Sequence, residues 1–309
     1  MKRIALFILV AVSLSLGYLW LYSIPSRVVN MDSAPVTESP ADQGLAFEEF
    51  VVSPSDGDLN IQGWWMPADA PVAALVFIHG GGSNRTSSFF SSLAFYRALV
   101  EQNISVAAID LRNHGNSDHD EQGAQFGRTE QYDALAAINW VRARDPGLPL
   151  FAMGISMGGA TVIHTAAGGA PLDGLILLDP LLDTHDVFKT GAWVETGLPP
   201  ALFAPAAWSA TSFFGLPSGA EQSLERAKVL QLPILLMQDP DDPVTRLPFA
   251  RELAAANPNV TLWVAPTVAS NEPRLAWKGR WGSHVAAFQI FPEPMLAQIT
   301  RFIADTSAL

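Results

Sequence analysis

The motif Gly154-Ile155-Ser156-Met157-Gly158, of the form Gly-x-Ser-x-Gly, restricts the fold of this chain more than any other feature. An apolar run, residues 148–153, precedes it, and a small-residue helical pattern, residues 160–167, follows it. A strand that reverses into a helix within about one residue forces Ser156 into strained backbone geometry. Side chains at 154 and 158 would collide in such a turn, so both positions require glycine. The pattern therefore predicts a strand, a sharp turn that lifts the serine hydroxyl clear of the sheet, and a helix.

The same five residues also fit a glycine-rich turn with an incidental serine, so the motif alone leaves two interpretations open. Under the first, the N-terminus of the following helix places partial positive charge beside Ser156. Positive charge at that point would stabilise an oxyanion that forms when the serine attacks a carbonyl group. The rest of the chain has to decide between the two.

Composition excludes several classes of function. The 309 residues are 49% apolar, which is enough for one large domain with a sizeable core. The net charge of −12 argues against nucleic-acid binding, which requires clustered Lys and Arg. The chain contains no cysteine, so disulfides, thiolate chemistry and cysteine metal sites are excluded.

Residues 1–26 are predicted to be a membrane anchor or signal sequence. Lys2 and Arg3 precede an uncharged run, residues 4–24, which as a helix would be about 31 Å long, the thickness of a bilayer core. No small-x-small cleavage site follows, which favours an uncleaved anchor over a cleaved signal. The positive-inside rule would keep Lys2 and Arg3 in the cytoplasm. We therefore expect membrane anchoring with the main domain outside the cytoplasm, and a secreted or periplasmic protein if the signal is cleaved.

The remaining chain reads as a linker followed by one α/β domain. Residues 27–45 are polar with Pro and Ser, which predicts a flexible linker, and residues 46–309 form the domain. Within it, buried strand patterns alternate with helical patterns, as expected of a mostly parallel sheet. The alternation of strand and helix patterns is interrupted at about 181–228, which predicts an inserted cap. Strands are predicted at 47–52, 59–66, 72–78, 104–109, 148–153, 174–178, 233–237 and 260–265, and helices at 88–102, 129–144, 160–167, 247–256 and 285–305.

Polar clusters follow several of the predicted strands, at the ends where such sheets bind ligands. The segment 79–82, His-Gly-Gly-Gly, follows one strand, and its glycines would allow close approach to a substrate. The backbone N–H groups of Gly81 and Met157 are the candidate donors of an oxyanion hole. A plain turn is the alternative for this segment. We interpret His79 and His114 as residues that brace their loops.

A serine hydroxyl is a weak nucleophile, and it needs a base that is oriented by a carboxylate. His284, which follows the last predicted strand, is the candidate base. Asp239, Asp241 and Asp242 compete for the carboxylate, since all three follow the strand 233–237. The order Ser, Asp, His differs from the orders of chymotrypsin and subtilisin.

From about residue 46 to its end, the chain resembles the α/β-hydrolase fold family, in particular membrane-anchored or secreted serine hydrolases of the esterase and lysophospholipase-like branch. The resemblance implies about eight strands with helices on both faces, and it assigns the acid to Asp242, with Asp241 and Asp179 as alternatives. Two departures are Asp239, where the family usually has Gly, and a segment of about eighteen residues before His284. The matching motifs, in order, are 79–81, 110–117, 154–159, 239–244 and 282–284.

Two further groups of residues have open interpretations. Trp193 and Trp208 belong to an aromatic stripe in the cap, which could line an acyl pocket, form the cap's own core or contact the membrane. Arg280 lies with Arg274 and Lys278 in a basic cluster that could hold an anionic substrate group or could simply be a solvated loop.

These patterns together predict a serine hydrolase that cleaves carboxylic esters, with Ser156 as nucleophile, His284 as base and Asp242 as its orienting acid. Small-molecule acyl esters or lipid-like esters are the expected substrates, and no metal or cofactor is needed. A peptidase or an acyltransferase would use the same residues, and a membrane-tethered binding protein without catalysis is the alternative from another class. Dehalogenases and epoxide hydrolases are disfavoured because they need a carboxylate where this chain has Ser156.

Overall fold

The computed structural model describes residues 2–269 and 271–308. Its centre is an eight-stranded sheet built from the short apolar runs of the sequence. Most bounds agree with the predicted strands within one or two residues, because buried β-branched and aliphatic runs pair on both edges and are covered on both faces. The strands are β1 (Glu48–Val52), β2 (Ile61–Met66), β3 (Ala73–Ile78), β4 (Ile104–Ile109), β5 (Leu150–Ile155), β6 (Gly174–Leu178), β7 (Ile234–Gln238) and β8 (Val260–Val264).

The strand order is β1-β2-β4-β3-β5-β6-β7-β8, and only β2 runs antiparallel to the other strands. The pairs from β4 to β8 are parallel, with Ile78 opposite both Ile109 and Gly154. Their carboxyl ends therefore meet along one edge of the sheet. The loops that follow β3, β4, β5, β6 and β7 gather at this edge, which positions the candidate site.

Helices cover both faces of the sheet, as predicted. Alternate side chains of β3 face opposite cores, with Val76 in the core on one face of the sheet and Phe77 in the core on the other. The helices are α1 (Lys2–Tyr18), α2 (Ile24–Val29), α3 (Ser92–Glu101), α4 (Gln131–Arg144), α5 (Met157–Ala167), α6 (Thr184–Thr196), α7 (Ala204–Phe213), α8 (Ser223–Lys228), α9 (Leu247–Ala256), α10 (Ala287–Ile290) and α11 (Pro292–Ser307).

The chain between β6 and β7 carries the inserted helices α6, α7 and α8. Helices α6 and α7 pack on each other, whereas α8 packs on α5 and α9 of the helical layer. Leu224 and Ala227 of α8 are buried in the main core. The last part of the segment predicted as cap, 181–228, is thus continuous with the helical layer that covers the sheet.

The final helix differs from the prediction of one helix over 285–305. Helix α10 ends at Ile290, and α11 begins at Pro292. Proline at the first helical position is favourable, but its ring and its missing N–H prevent a helix from continuing through it. Consequently His284 lies on a turn before α10, next to Val285, which has a φ of 48°.

One helix in the described ranges, Lys2–Val29, is long and apolar enough to cross a membrane, although a signal sequence passes the same test. It consists of α1, a wider turn (Leu19–Ser23) and α2. The first part of this helix, α1, is exposed, but its last turns pack on α7. Ser209 donates a hydrogen bond to the Leu21 carbonyl, and the rings of Tyr22 and Phe214 lie 5.8 Å apart.

The segment predicted as a flexible linker, 27–45, lies against the domain. Pro40–Gln43 forms a short 3₁₀ turn with a capping box between Ser39 and Asp42. Ala34 N–H donates to the Gly82 carbonyl at 3.2 Å. Composition did not reveal this docking, since the contacts are made mostly by backbone groups that any residue carries.

Candidate active site

Ser156 lies at the turn between β5 and α5, with φ 52° and ψ −118°. A non-glycine residue with positive φ is strained, and such strain concentrates at functional sites. The turn is held by the bond from Ser156 N–H to the Leu178 carbonyl at 3.1 Å. The side chain is therefore presented at the carboxyl edge of the sheet, half-buried.

The glycines around Ser156 are required by close backbone approaches. A Cβ atom at Gly154 would lie 2.1 Å from the Gly158 carbonyl oxygen. A Cβ at Gly158 would lie 2.3 Å from the Ile78 carbonyl oxygen and 2.4 Å from that of His79. These distances are far below any real contact, so the turn can form only with glycine at both positions.

The structure brings Ser156, His284 and Asp242 together although 128 residues separate the first two. The Ser156 Oγ and His284 Nε2 atoms are 3.0 Å apart, and His284 Nδ1 lies 2.7 Å from Asp242 Oδ2. Both His284 and Asp242 are buried. This geometry allows the imidazole to accept the serine proton while the carboxylate fixes its tautomer.

Three hydrogen-bond donors hold the Asp242 carboxylate in place. Its Oδ1 accepts hydrogen bonds from the N–H groups of Val244, at 2.7 Å, and Thr245, at 2.8 Å. The Thr245 hydroxyl donates to Oδ2 at 3.0 Å. These donors fix the orientation of the carboxylate that faces His284 Nδ1. Asp241, the neighbouring alternative, is exposed.

Asp179, the other alternative acid, is buried next to the pair formed by Asp242 and His284. Its oxygens accept from Asp239 N–H at 2.7 Å and from Val285 N–H at 3.1 Å. Burial first, and then the nearby charges of Asp242 and Asp239, raise the pKa of Asp179 well above its usual value. Asp179 therefore ties the loops after β6 and β7 to the His284 turn, whereas the carboxylate that pairs with His284 Nδ1 is that of Asp242.

Gly81 and Met157, the candidate oxyanion donors, lie next to each other. A Cβ at Gly81 would lie 3.3 Å from Met157 Sδ, and one at Gly80 would lie 3.8 Å from Ser156 Oγ. The Gly81 N–H donates no hydrogen bond within the described part of the chain. Met157 begins α5, so its N–H has no partner in the helix. Both groups are therefore available to an oxyanion, and this role stays a prediction.

Two neutral histidines hold the loop after β3. His79 donates from Nδ1 to the Gly80 carbonyl at 2.8 Å and accepts at Nε2 from Leu111 N–H at 3.1 Å. His114 accepts at Nε2 from Gly82 N–H at 3.1 Å and donates from Nδ1 to the Arg112 carbonyl. Because Nε2 accepts a hydrogen bond in each ring, it carries no proton there, and each imidazole is neutral. The pattern agrees with the interpretation that both histidines brace their loops.

We expect His79 to make stability depend on pH below neutrality. Burial, and then His114, lower the pKa of His79 to about 3. Between pH 6.5 and 3 the unfolded chain thus binds more protons than the folded chain, so stability falls as pH falls through this window. From pH 7 to 4.5 the free energy of unfolding should fall by about 2 kcal/mol more in the wild type than in His79→Gln. Urea unfolding of the detergent-solubilised chain measures this. An equal fall of the free energy of unfolding in the wild type and in His79→Gln would contradict this prediction. His119→Gln, at an exposed position, is the control.

The basic cluster before His284 is divided among separate partners. Arg280 donates to the carbonyls of Val194 and Glu195, both at 2.8 Å, and so caps the end of α6. Arg274, which is exposed, pairs with half-buried Glu272 at 2.7 Å. Lys278 is buried and donates to the His284 carbonyl at 3.1 Å. Binding of an anionic substrate group by Arg280 therefore stays a prediction, and it would have to compete with these capping bonds.

Sequence reasoning named Lys278 as part of the basic cluster, but it did not predict that Lys278 and Trp281 support His284. The Lys278 ammonium lies 4.0 Å from the centre of the Phe89 ring, and the Trp281 ring lies 5.6 Å from that of His284. Burial lowers the pKa of Lys278 to about 7, while Asp179 and Asp242 act in the opposite direction. The pattern Trp-Lys-Gly-Arg-Trp, 277–281, was the available signal, since two aromatic residues flank two basic ones there.

The two cap tryptophans lie on different helices. Trp193 is half-buried on α6. Trp208, on α7, is 51% exposed, and its ring meets that of Phe213 edge to face at 5.4 Å. Trp208 is thus an outer residue of the cap rather than part of its core. A role of either side chain in substrate binding stays a prediction.

Sequence comparisons find relatives of this chain that are named as lipases, and one matching family model. Residues 69–208 match the family model described as serine aminopeptidase, S33. Human monoglyceride lipase is 32% identical over 129 residues, which are 41% of this chain and 41% of the relative. Mouse lysophosphatidylserine lipase ABHD12 is 25% identical over 245 residues, 70% of this chain and 58% of the relative. The chain thus spans about two fifths of the length of the monoglyceride lipase and more than half of the second relative.

A solved structure supports the same fold over nearly the whole chain. The Pyrococcus furiosus esterase Pf2001 superposes with a TM-score of 0.70, covering 89% of this chain and 97% of the esterase. The sequences are 20% identical, so the likeness concerns the fold. The prediction of an eight-stranded, mostly parallel sheet with helices on both faces and an inserted cap is confirmed.

Proposed function

The chain belongs to the α/β-hydrolase fold family, and from this premise we propose that it is a serine hydrolase that cleaves carboxylic esters through an acyl-enzyme. The observation that carries the proposal is the continuous hydrogen-bonded chain from Ser156 through His284 to Asp242, at 3.0 and 2.7 Å. A nucleophile, a base and an orienting acid at these distances form the arrangement that acyl transfer by serine needs.

In the first half of the reaction, Ser156 Oγ attacks the ester carbonyl carbon while its proton passes to His284 Nε2. The imidazolium is stabilised by the Asp242 carboxylate, which is 0% exposed. The N–H groups of Met157 and Gly81 hold the oxyanion of the tetrahedral intermediate. One such donor contributes about a hundredfold to a thousandfold in rate. His284 then gives the proton to the departing alcohol, and the acyl group remains on Ser156.

In the second half, a water molecule replaces the alcohol. His284 accepts a proton from the water, whose oxygen attacks the acyl carbonyl, and the oxyanion forms between the same two N–H groups. Collapse of this intermediate breaks the bond to Ser156 Oγ, which takes back the proton from His284. The carboxylic acid leaves, and the free serine is restored.

Lipid-like monoacyl esters are the substrate class that the relatives' names favour, since they are a monoglyceride lipase and a lysophosphatidylserine lipase. The test is hydrolysis of a monoacylglycerol, a lysophospholipid and an amino-acid arylamide by the detergent-solubilised full chain. We expect turnover of one or both esters and none of the arylamide. If no ester is cleaved by folded protein, the proposal fails.

A peptidase is the second candidate, because the matching family model is described as a serine aminopeptidase. The same three side chains would cleave an amide with the same proton transfers. The arylamide in the assay above has a free amino group and decides between the two. Its kcat/KM should exceed that of the esters if the chain is an aminopeptidase.

We further propose that the helix Lys2–Val29 anchors the protein in a membrane with the hydrolase domain outside the cytoplasm. Lys2 and Arg3 lie before its apolar part, which is the cytoplasmic side by the positive-inside rule. Protease added to intact spheroplasts should digest the domain. Protection of the domain would contradict this orientation.

A further inference from the structure

Residues 29–35 run across the loop that follows β3, and we call this segment the strap. It comes directly after the N-terminal helix, whose last turns pack on α7 of the cap. Val29 is buried, and its carbonyl accepts a hydrogen bond from Ala124 N–H at 2.7 Å. The strap therefore starts from a fixed point and ends on the loop that carries Gly81.

The strap is hydrogen-bonded to three successive residues of the loop, 82–84. Ala34 N–H donates to the Gly82 carbonyl at 3.2 Å, and the Ser33 hydroxyl donates to the Ser83 carbonyl at 3.1 Å. Asn84, which is buried, donates from its amide to the carbonyls of Ala34 and Pro35, at 2.8 and 3.0 Å. Because these bonds begin at Gly82, they restrain the loop directly after Gly81 and so limit the directions in which the Gly81 N–H can point.

Ser33 also joins the strap to the loop after β4. Its Oγ accepts a hydrogen bond from Gly115 N–H at 2.8 Å, while it donates to Ser83. His114, beside Gly115, accepts from Gly82 N–H. One hydroxyl and one imidazole thus connect the same two loops, and Ser33 is the only part of this connection that comes from outside the predicted domain.

Met31 lies against the candidate oxyanion hole. A Cβ atom at Gly81 would lie 3.0 Å from Met31 Sδ and 3.3 Å from Met157 Sδ. The two thioethers therefore flank Gly81, and Met31 is half-buried among apolar residues of the main core. An unbranched thioether adapts its shape to an apolar ligand at low cost.

We propose that the strap is a wall of the substrate site, in which Met31 sets the preference for the acyl group and Ser33 positions the oxyanion loop. The inference rests on the proposed ester hydrolysis at Ser156. An acyl carbonyl whose oxygen lies at the Gly81 and Met157 N–H groups has its chain beside Met31. The N-terminal helix, the cap and the oxyanion loop are then one connected unit.

The first test compares ester chain lengths in the full chain solubilised in detergent. Met31→Gly removes the side chain that forms this part of the wall. The kcat/KM for p-nitrophenyl decanoate, divided by that for p-nitrophenyl acetate, should then change by about tenfold, because a few methylene contacts are lost. Met31→Leu has nearly the same volume and should keep the wild-type ratio. An unchanged ratio in Met31→Gly overturns the role of Met31.

The second test uses kcat. Ser33→Ala leaves the Ser83 carbonyl and the Gly115 N–H without their common partner, so kcat should fall about tenfold while KM changes by less than about twofold. Ser33→Thr restores the hydroxyl and should recover most of kcat. The exposed neighbour Thr37→Ala is the control and should behave as wild type.

Active-site titration with a fluorophosphonate counts the folded sites in every variant, so that kcat refers to competent protein. A wild-type kcat per site in Ser33→Ala overturns the role of Ser33, as does a loss that Ser33→Thr does not restore. Absence of ester turnover and of labelling in the wild type refutes the proposed function itself. The two failures are therefore distinguishable.

Discussion

Replacing Ser156 with Ala is expected to lower kcat for ester hydrolysis by ~10⁶-fold, because the acyl-enzyme can no longer form. The substitution removes only an oxygen that is half-buried at the turn, and Ala tolerates the site sterically. His284→Ala should cost about as much, since the two side chains act as one unit. Initial rates on the best ester, with protein corrected for folding, give the comparison.

The two buried acids should respond very differently. Asp242→Asn removes the charge that stabilises the His284 imidazolium, and kcat should fall by ~10⁴-fold. Asp179→Asn is nearly isosteric and replaces a carboxyl whose pKa is already raised by burial. It should lower kcat by no more than about tenfold, since at most one of two N–H bonds is lost. Equal losses in both variants would contradict the assignment of Asp242.

Gly158→Ala is expected to destabilise the domain by more than about 3 kcal/mol or to prevent folding. Its Cβ would lie 2.3 and 2.4 Å from two carbonyl oxygens at the end of β3. Both are main-chain atoms, one in the last residue of β3 and one in the residue after it, so they cannot rotate away as a side chain would. Relief requires the strand and α5 to separate, and overpacking on this scale is among the most costly single substitutions.

Gly147→Ala is the matched control, because a Cβ there meets nothing within 4 Å and the residue does not have positive φ. Its free energy of unfolding, measured with urea, should stay within about 0.5 kcal/mol of the wild-type value. A Gly158→Ala protein with wild-type stability would show that the strand-to-helix turn is looser than this close packing implies.

The strands and the candidate site were predictable because they depend on local patterns. Buried runs such as 104–109 carry their own signal, and each is followed by turn residues. Parallel strands bring their carboxyl ends to one edge, so Ser156, Asp242 and His284 were expected to meet there. The choice among Asp179, Asp241 and Asp242 needed the resemblance, since the residues alone left more than one acid open.

The supports of the site were not predictable, for physical reasons. The strap binds through backbone groups and one hydroxyl, and its polar composition is that of a flexible linker. Lys278 and Arg280 follow each other closely, yet one is buried under His284 and the other caps α6. Side-chain direction within an irregular segment has no periodicity from which it could be read.

Fluorophosphonate labelling of the full chain in detergent, with the modified peptide mapped by mass spectrometry, tests the central claim most directly. The account predicts stoichiometric modification of Ser156 in the wild type and its loss in His284→Ala, because only a serine activated by that imidazole attacks the phosphorus. Folded wild-type protein that stays unlabelled at Ser156, or labelling that is unchanged in His284→Ala, would contradict it.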